Sequence, residues 1–101
     1  MKVTFTGAGT SKSFLITYPG THLARQAWHL YASGTFGAGG AVQLEISPDD
    51  GTVNDAASRW FSPTYARLAA PGENPFTARF RKLRYTFSGG DVTTNVVVEL
   101  V

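Results

Sequence analysis

The feature that most constrains this chain is the alternation of apolar and polar residues in short runs that glycine and proline interrupt. The sequence contains 11 Gly and 5 Pro, spaced so that no window of about 11 residues keeps an uninterrupted helical apolar period. Period two fits better: in residues 41–47, Val42, Leu44 and Ile46 alternate with polar side chains. The sequence therefore predicts short β-strands with one buried face.

About seven or eight such strands follow one another, with turn residues at a spacing of roughly 8–12 residues, which is typical of an all-β sandwich or barrel. The chain is predicted to be one domain over residues 1–101, with residues 1–12 as an N-terminal strand or arm. A short helix is left open only in residues 20–31, where Thr21 could act as the N-cap. A further short strand is predicted around residues 59–62.

Three connections carry specific predictions. Residues 2–6 are expected to form a hairpin with the alternating segment of Phe14 and Ile16. The even-numbered positions of residues 92–100 should face inward in a closing strand that follows a hairpin turn at Gly89 and Gly90. The apolar phase changes between residues 80 and 83, so a β-bulge or sharp bend is predicted near residues 81–82.

Composition excludes several classes of protein. The chain has no cysteine, which excludes a disulfide framework, thiolate metal sites and a cysteine nucleophile. Its formal net charge is only +2, too small to indicate a nucleic-acid partner. No apolar run approaches the 18 or so residues of a spanning helix, and the first residues lack a signal-peptide apolar region. Synthesis in the cytoplasm is the resulting expectation.

The sequence does not predict a metal or cofactor site. His22 and His29 are not in a ligand-type spacing. Asp49, Asp50 and Asp55 lack the pattern of a calcium loop and its closing glutamate, so they are expected to be solvated turn residues. The segment SPDDG (residues 47–51) is predicted to be a turn in which the aspartates bond nearby backbone groups.

Catalysis is not expected either. No serine lies in a nucleophile elbow, and the glycine clusters at residues 7–9 and 37–40 lack the residues of a phosphate loop. Glu45, Glu73 and Glu99 are the acids that could supply a carboxylate pair. Glu45 and Glu99 are at outward positions of alternating strands, so the sequence favours a protein that is not an enzyme.

Four basic residues, Arg79, Arg81, Lys82 and Arg84, lie within six positions. Three interpretations stay open: a solvated face that discourages edge pairing, an interface with an acidic protein surface through arginine–carboxylate contacts, or a single-strand nucleic-acid groove. The first is favoured, the protein interface comes next, and nucleic acid is the least favoured.

The two tryptophans differ in their expected roles. Trp28 alternates with Leu30 and Ala32 and is predicted to be a core residue. Trp60 is followed by Phe61, and adjacent strand residues face opposite sides. One of these two aromatics is therefore predicted to be exposed or in a protein interface.

Several strings resemble small bacteriophage virion proteins: HLYASGTFG with a glycine-rich step, AVQLEISPDDGT, and FRKLRYTFSGGD before a valine-rich closing strand. The resemblance covers about residues 29–101. It implies a single jelly-roll-like β-sandwich that binds other virion proteins and has no cofactor. The sequence departs from the pattern where TVNDAASR separates the SPDDG turn from Trp60.

The resemblance implies a capsid decoration (cement) protein that binds the major capsid protein on the assembled head, with a homotrimer as the favoured assembly. Shell contact is expected from residues 1–12 and from the basic segment. Trimer contact is expected around Trp60 and Phe61. The alternatives are a tail, neck or fibre-associated virion protein and a carbohydrate-binding β-sandwich module.

Overall fold

The computed structural model describes residues 1–17 and 26–101. These residues form nine strands and no helix, which confirms the predicted all-β class. The short helix left open for residues 20–31 is wrong over residues 26–31, which belong to a strand, and the rest of it falls in residues 18–25, outside the described residues. No helix that could cross a membrane is found in the described part of the chain. In chain order the strands are β1 (Lys2–Phe5), β2 (Gly9–Thr10), β3 (Phe14–Leu15), β4 (Gln26–Thr35), β5 (Ala41–Ser47), β6 (Arg67–Leu68), β7 (Gly72–Ala78), β8 (Lys82–Ser88) and β9 (Asn95–Leu100).

The strands form two antiparallel sheets packed face to face. The first sheet has the order β1-β9-β4-β7, and the second has the order β2-β8-β5-β6, with β3 also pairing with β8. The chain crosses between the sheets after β1, β3, β4, β6, β7 and β8. With β2 and β3 taken as one interrupted strand, this is the order of an eight-stranded jelly roll. The predicted sandwich is confirmed.

Two hairpins predicted from the sequence are wrong. β1 pairs with β9, whereas β3 pairs with β8. The strand after Gly89 and Gly90 pairs with β1 and β4, not with β8. Both glycines have positive φ, 72° and 89°, in the connection that takes the chain to the other sheet. Alternation identifies the buried face of a strand, but it does not tell whether the next strand lies beside it or opposite it.

The core lies between the sheets and consists of the inward positions of each strand. The rings of Phe5 in the first sheet and Phe87 in the second stack with centroids 5.6 Å apart. Val92 is fully exposed, contrary to prediction, because β9 begins only at Asn95. The inward positions predicted in β4, β5, β8 and β9 are confirmed, with these residues buried: Leu30, Ala32, Val42, Leu44, Leu83, Tyr85, Phe87, Val96, Val98 and Leu100.

The predicted bend near residues 81–82 is confirmed as a crossing between sheets. β7 ends at Ala78 in the first sheet, and β8 begins at Lys82 in the second. Phe80 is buried within the crossing. The inward phase changes here because the chain leaves one layer of the sandwich and enters the other.

One buried hydroxyl connects the two sheets. The phenol of Tyr85, in the second sheet, donates to the carbonyl of Met1 (2.6 Å) and accepts from the amide of Leu100 (2.9 Å). Burial raises the pKa of this phenol. Because both of its partners are backbone groups beside the β1–β9 pair, the hydroxyl holds the end of that pair against the second sheet.

Candidate functional site

The outer face of the second sheet carries two of the predicted site residues, Lys82 and Arg84 of β8. In this face Glu45 lies opposite Arg84, and Ser47 lies opposite Lys82. Residues 48–62, called the covering loop below, follow β5 and extend over this face. The loop contains the whole of the segment TVNDAASR, residues 52–59.

Lys82 is buried beneath the covering loop, with an exposed fraction of 2%. Its ammonium group donates to the carbonyl of Val53 (2.7 Å), to the hydroxyl of Ser58 and to the carboxylate of Asp55 (3.5 Å). The ammonium nitrogen also lies 5.6 Å from the centroid of the Trp60 ring. An ammonium group has three protons to donate, and all three have acceptors within the chain.

The prediction that the four basic residues share one exposed strip is therefore wrong for Lys82. Its outward position in β8 was predicted correctly, but the covering loop lies between that position and the solvent. A lysine that is almost fully buried cannot contact a partner while the loop is closed. Asp55 is likewise a structural ligand of the lysine and not only a solvated turn acid.

Arg84 is also engaged within the chain. Its guanidinium bonds Glu45 at 2.7 Å and lies 4.1 Å from the centroid of the Trp60 ring. The indole nitrogen of Trp60 donates to the carbonyl of Asp55 (3.0 Å). Glu45 also accepts from the Ser62 hydroxyl (3.2 Å). Arg84 thus stabilises the closed covering loop through cation–π and charge-assisted hydrogen bonds.

The two ends of the covering loop are joined by Asp49 and Arg59. The Asp49 carboxylate accepts from the Arg59 guanidinium (2.9 Å) and from the Arg59 amide (2.6 Å). These bonds lower the pKa of Asp49 to about 2. Asp50 accepts from the Thr52 amide at 2.9 Å, as predicted for this turn, whereas the backbone amide that bonds the Asp49 carboxylate is ten residues away in the chain.

The remaining predicted residues are closer to solvent. Arg81 is exposed and Arg79 is half-buried. Trp60, in the covering loop, is half-buried and its ring packs against Arg84 of β8, whereas Phe61 is 55% exposed. The prediction that one of these two aromatics is exposed is confirmed. The strand predicted around residues 59–62 is reduced to a single bridge between Phe61 and Ile46, and the roles of all these residues in an interface stay predictions.

Sequence reasoning did not identify Tyr65, which is 48% exposed. Its ring lies 5.2 Å from that of Phe76 in β7. Phe61 and Tyr65, called the aromatic edge below, are the large exposed aromatics of the segment between β5 and β6. Their spacing of four residues in a proline-containing segment gave no alternation from which their exposure could be predicted.

Acidic and histidine residues do not converge in the described residues. Glu45 lies on the outer face of the second sheet, whereas Glu73 and Glu99 flank Tyr31 on the outer face of the first. Over residues 1–17 and 26–101 no group of three or more His, Asp or Glu is arranged to hold a metal ion. His29 contacts the Tyr31 hydroxyl at 2.9 Å, and His22 lies outside the described residues.

A shallow pocket of about 320 Å³ opens beside β4 and β7. Trp28 forms part of its lining, donates its indole proton to the carbonyl of Ala78 (3.2 Å) and packs 5.1 Å from the Phe80 ring. Trp28 thus packs against the core as predicted, with part of its ring open to the pocket. The lining residues are Ala27, Trp28, His29, Pro75, Phe76, Thr77 and Val101.

Fold and site together define a class: an all-β sandwich of jelly-roll order with one sheet face covered by its own loop. Comparison with protein-family models, curated proteins and solved structures finds no match.

Proposed function

We propose that this protein is a non-enzymatic structural component of a bacteriophage virion, most specifically a capsid decoration (cement) protein. The observation that carries the proposal is the jelly-roll order of the two sheets, taken together with the virion-like strings in residues 29–101. The ion pairs in and beneath the covering loop also support a structural role. Glu45, Asp49 and Asp55 bond Arg84, Arg59 and Lys82, so these charges stabilise the fold.

A decoration protein acts by mass action. A protein that binds the assembled shell, and not its free subunits, stabilises the shell by its binding free energy. Several linked copies that engage neighbouring capsomers gain further through effective concentration. A trimer would match a local three-fold axis of the shell. The location implied is the outer surface of the head, with the major capsid protein as partner.

The exposed residues favour particular contacts. Arg81 is the exposed member of the basic segment. It is proposed to contact an acidic surface on the shell. The aromatic edge of Phe61 and Tyr65 takes the place of Trp60 in the proposed trimer contact, because Trp60 is packed against Arg84.

The test is binding to expanded, undecorated heads. The purified protein should bind stoichiometrically, and binding should weaken with added salt and in an Arg81→Glu variant. Arg67→Glu makes the same change of charge at an exposed arginine of β6 and should bind like the wild type. Binding to tail assemblies and not to heads would instead identify a tail, neck or fibre component.

A carbohydrate-binding module is the second candidate, favoured by the exposed rings of Phe61 and Tyr65. Aromatic faces of this kind can stack on the apolar face of a sugar ring. A glycan array with the wild type and a Phe61→Ala, Tyr65→Ala double variant separates the two functions. Glycan binding that the double variant loses, with no binding to heads, would replace the decoration proposal.

A further inference from the structure

The outer face of the first sheet differs from that of the second, because its side chains remain open. One cross-strand row runs over all four strands of the sheet. Lys2 of β1 lies opposite Glu99 of β9, Glu99 opposite Tyr31 of β4, and Tyr31 opposite Glu73 of β7. Lys2, Tyr31 and Glu73 are exposed and Glu99 is half-buried. The row therefore presents a positive charge at one edge of the sheet and a negative charge at the other.

This order of charges is self-complementary. Consider two copies whose first-sheet faces are stacked on each other, related by a two-fold axis that runs parallel to the strands. The rotation reverses the order of the row across the strands in the second copy. It does not move the row along the strands, so the two rows lie directly over each other. Lys2 of one copy then faces Glu73 of the other, and Glu99 faces Tyr31. Both contacts occur twice, as in any isologous interface. We propose that this face binds a second copy of the same chain, face to face, about a two-fold axis.

The face is at the small end of the range for such a contact. Its strands β1, β9, β4 and β7 have 4, 6, 10 and 7 residues, which at about 3.3 Å per residue and a strand spacing of about 4.8 Å give a plan area of roughly 430 Å². Side-chain relief makes the accessible area larger than the plan area. A standard protein interface buries about 800 Å² per partner. Glu99 and Tyr31 are the two central residues of the row; Tyr31 is 39% exposed, and tyrosine is enriched at interface centres.

The distance between Lys2 and Glu73 shows whether an ion pair of these two residues could form within one chain. Lys2 and Glu73 are three strand spacings apart, about 14 Å, in the same sheet. Their side chains cannot form an ion pair within one chain. Any coupling between these two positions must therefore arise between copies. The proposal does not depend on the virion role. It uses Lys2, from the segment 1–12 that was expected to contact the shell, but neither the basic segment nor the aromatic edge, so the contact can join two single chains or two trimers.

The experiment is a charge reversal followed by sedimentation analysis. Lys2→Glu and Glu73→Lys each place like charges opposite each other twice in the assembly. Each should raise the dissociation constant roughly tenfold or more, so that the particle mass is halved at a suitable concentration. The Lys2→Glu, Glu73→Lys double variant restores opposite charges and should recover the wild-type mass. Lys12→Glu, at an exposed lysine between β2 and β3, makes the same charge change elsewhere and should leave the mass unchanged.

Thermal unfolding of each variant verifies that the fold is retained, since Lys2→Glu also places a glutamate beside Glu99. The double variant does not relieve that repulsion, so recovery of mass in it reports the contact between chains. A wild type that sediments as one chain or as three at high protein concentration overturns the proposal. So does a mass that neither reversal changes, a mass that Lys12→Glu also halves, or a double variant that fails to recover.

Discussion

Replacing Lys82 with methionine removes the ammonium group and keeps most of the side-chain volume. The carbonyl of Val53 and the hydroxyl of Ser58 then lose a charged donor within a covered site. Hydrogen bonds to charged groups contribute about 1.5–3 kcal/mol each. Asp55 is 46% exposed, so its carboxylate stays hydrated and the full cost of an unpaired buried charge does not apply. The variant also avoids the cost of desolvating an ammonium group, which offsets part of the loss. We therefore expect the free energy of unfolding to fall by about 2 kcal/mol.

Urea denaturation measures this loss, with Arg81→Met as the matched control. Arg81 is the residue immediately before Lys82 and is exposed, so its replacement should change stability by less than about 0.5 kcal/mol. With a slope of about 1–3 kcal/mol per molar urea, Lys82→Met should shift the midpoint by roughly 0.7–2 M. Equal midpoints in the two variants would refute the assignment of Lys82 as the residue that holds the covering loop.

A local measurement distinguishes loop opening from general weakening. The indole proton of Trp60 bonds the Asp55 carbonyl inside the covering loop, whereas that of Trp28 bonds Ala78 in the first sheet. Hydrogen exchange followed by NMR should accelerate at Trp60 in Lys82→Met under native conditions and change little at Trp28. Equal acceleration at both indoles would show that the lysine stabilises the whole sandwich and not the loop.

Two further outcomes are expected. Tyr85→Phe removes the hydroxyl that bonds Met1 and Leu100. Urea denaturation should show a loss of about 1–2 kcal/mol in the free energy of unfolding, and the amide of Leu100 should exchange faster. A loss no larger than that of the exposed-site control Tyr65→Phe would contradict this prediction. The bonds from Arg59 hold the pKa of Asp49 at about 2, below its ordinary value of 3.8, so their stabilisation is present above pH 3.8 and is lost as the pH falls toward 2. The melting temperature of Asp49→Asn should therefore fall less steeply than that of the wild type between these pH values, and parallel curves would disprove the assignment.

The layers of the fold could be predicted from the sequence because burial on one face imposes period two. This is why Val42, Leu44 and Ile46 were placed correctly, and why the change of phase after Phe80 identified a real bend. The pairing of strands could not be predicted in the same way. A strand with one apolar face satisfies its pattern equally well beside its neighbour in sequence or opposite it, and here most consecutive strands lie opposite each other.

The site shows the same limit in another form. Alternation placed Lys82 and Arg84 on the outer face, but an outward position is exposed only when no other part of the chain covers it. A signal was present: the segment TVNDAASR brings Asn, Asp and Ser oxygens between strand β5 and Trp60. Oxygen ligands in a loop next to a strand with excess cations predict an internal ion pair as readily as an interface.

The charged residues of the two outer faces are paired in different ways. The second sheet neutralises Lys82 and Arg84 with its own carboxylates and protects them from solvent with a loop. In the first sheet, Lys2 and Glu73 are separated by two strands, so neither can neutralise the other within the chain. Lys2 lies opposite Glu99 in its own sheet, whereas the residue opposite Glu73 is Tyr31, so in the proposed assembly the cation that faces Glu73 is Lys2 of the other copy. The charge-reversal pair is therefore the decisive measurement, since recovery in the double variant has no explanation within a single chain.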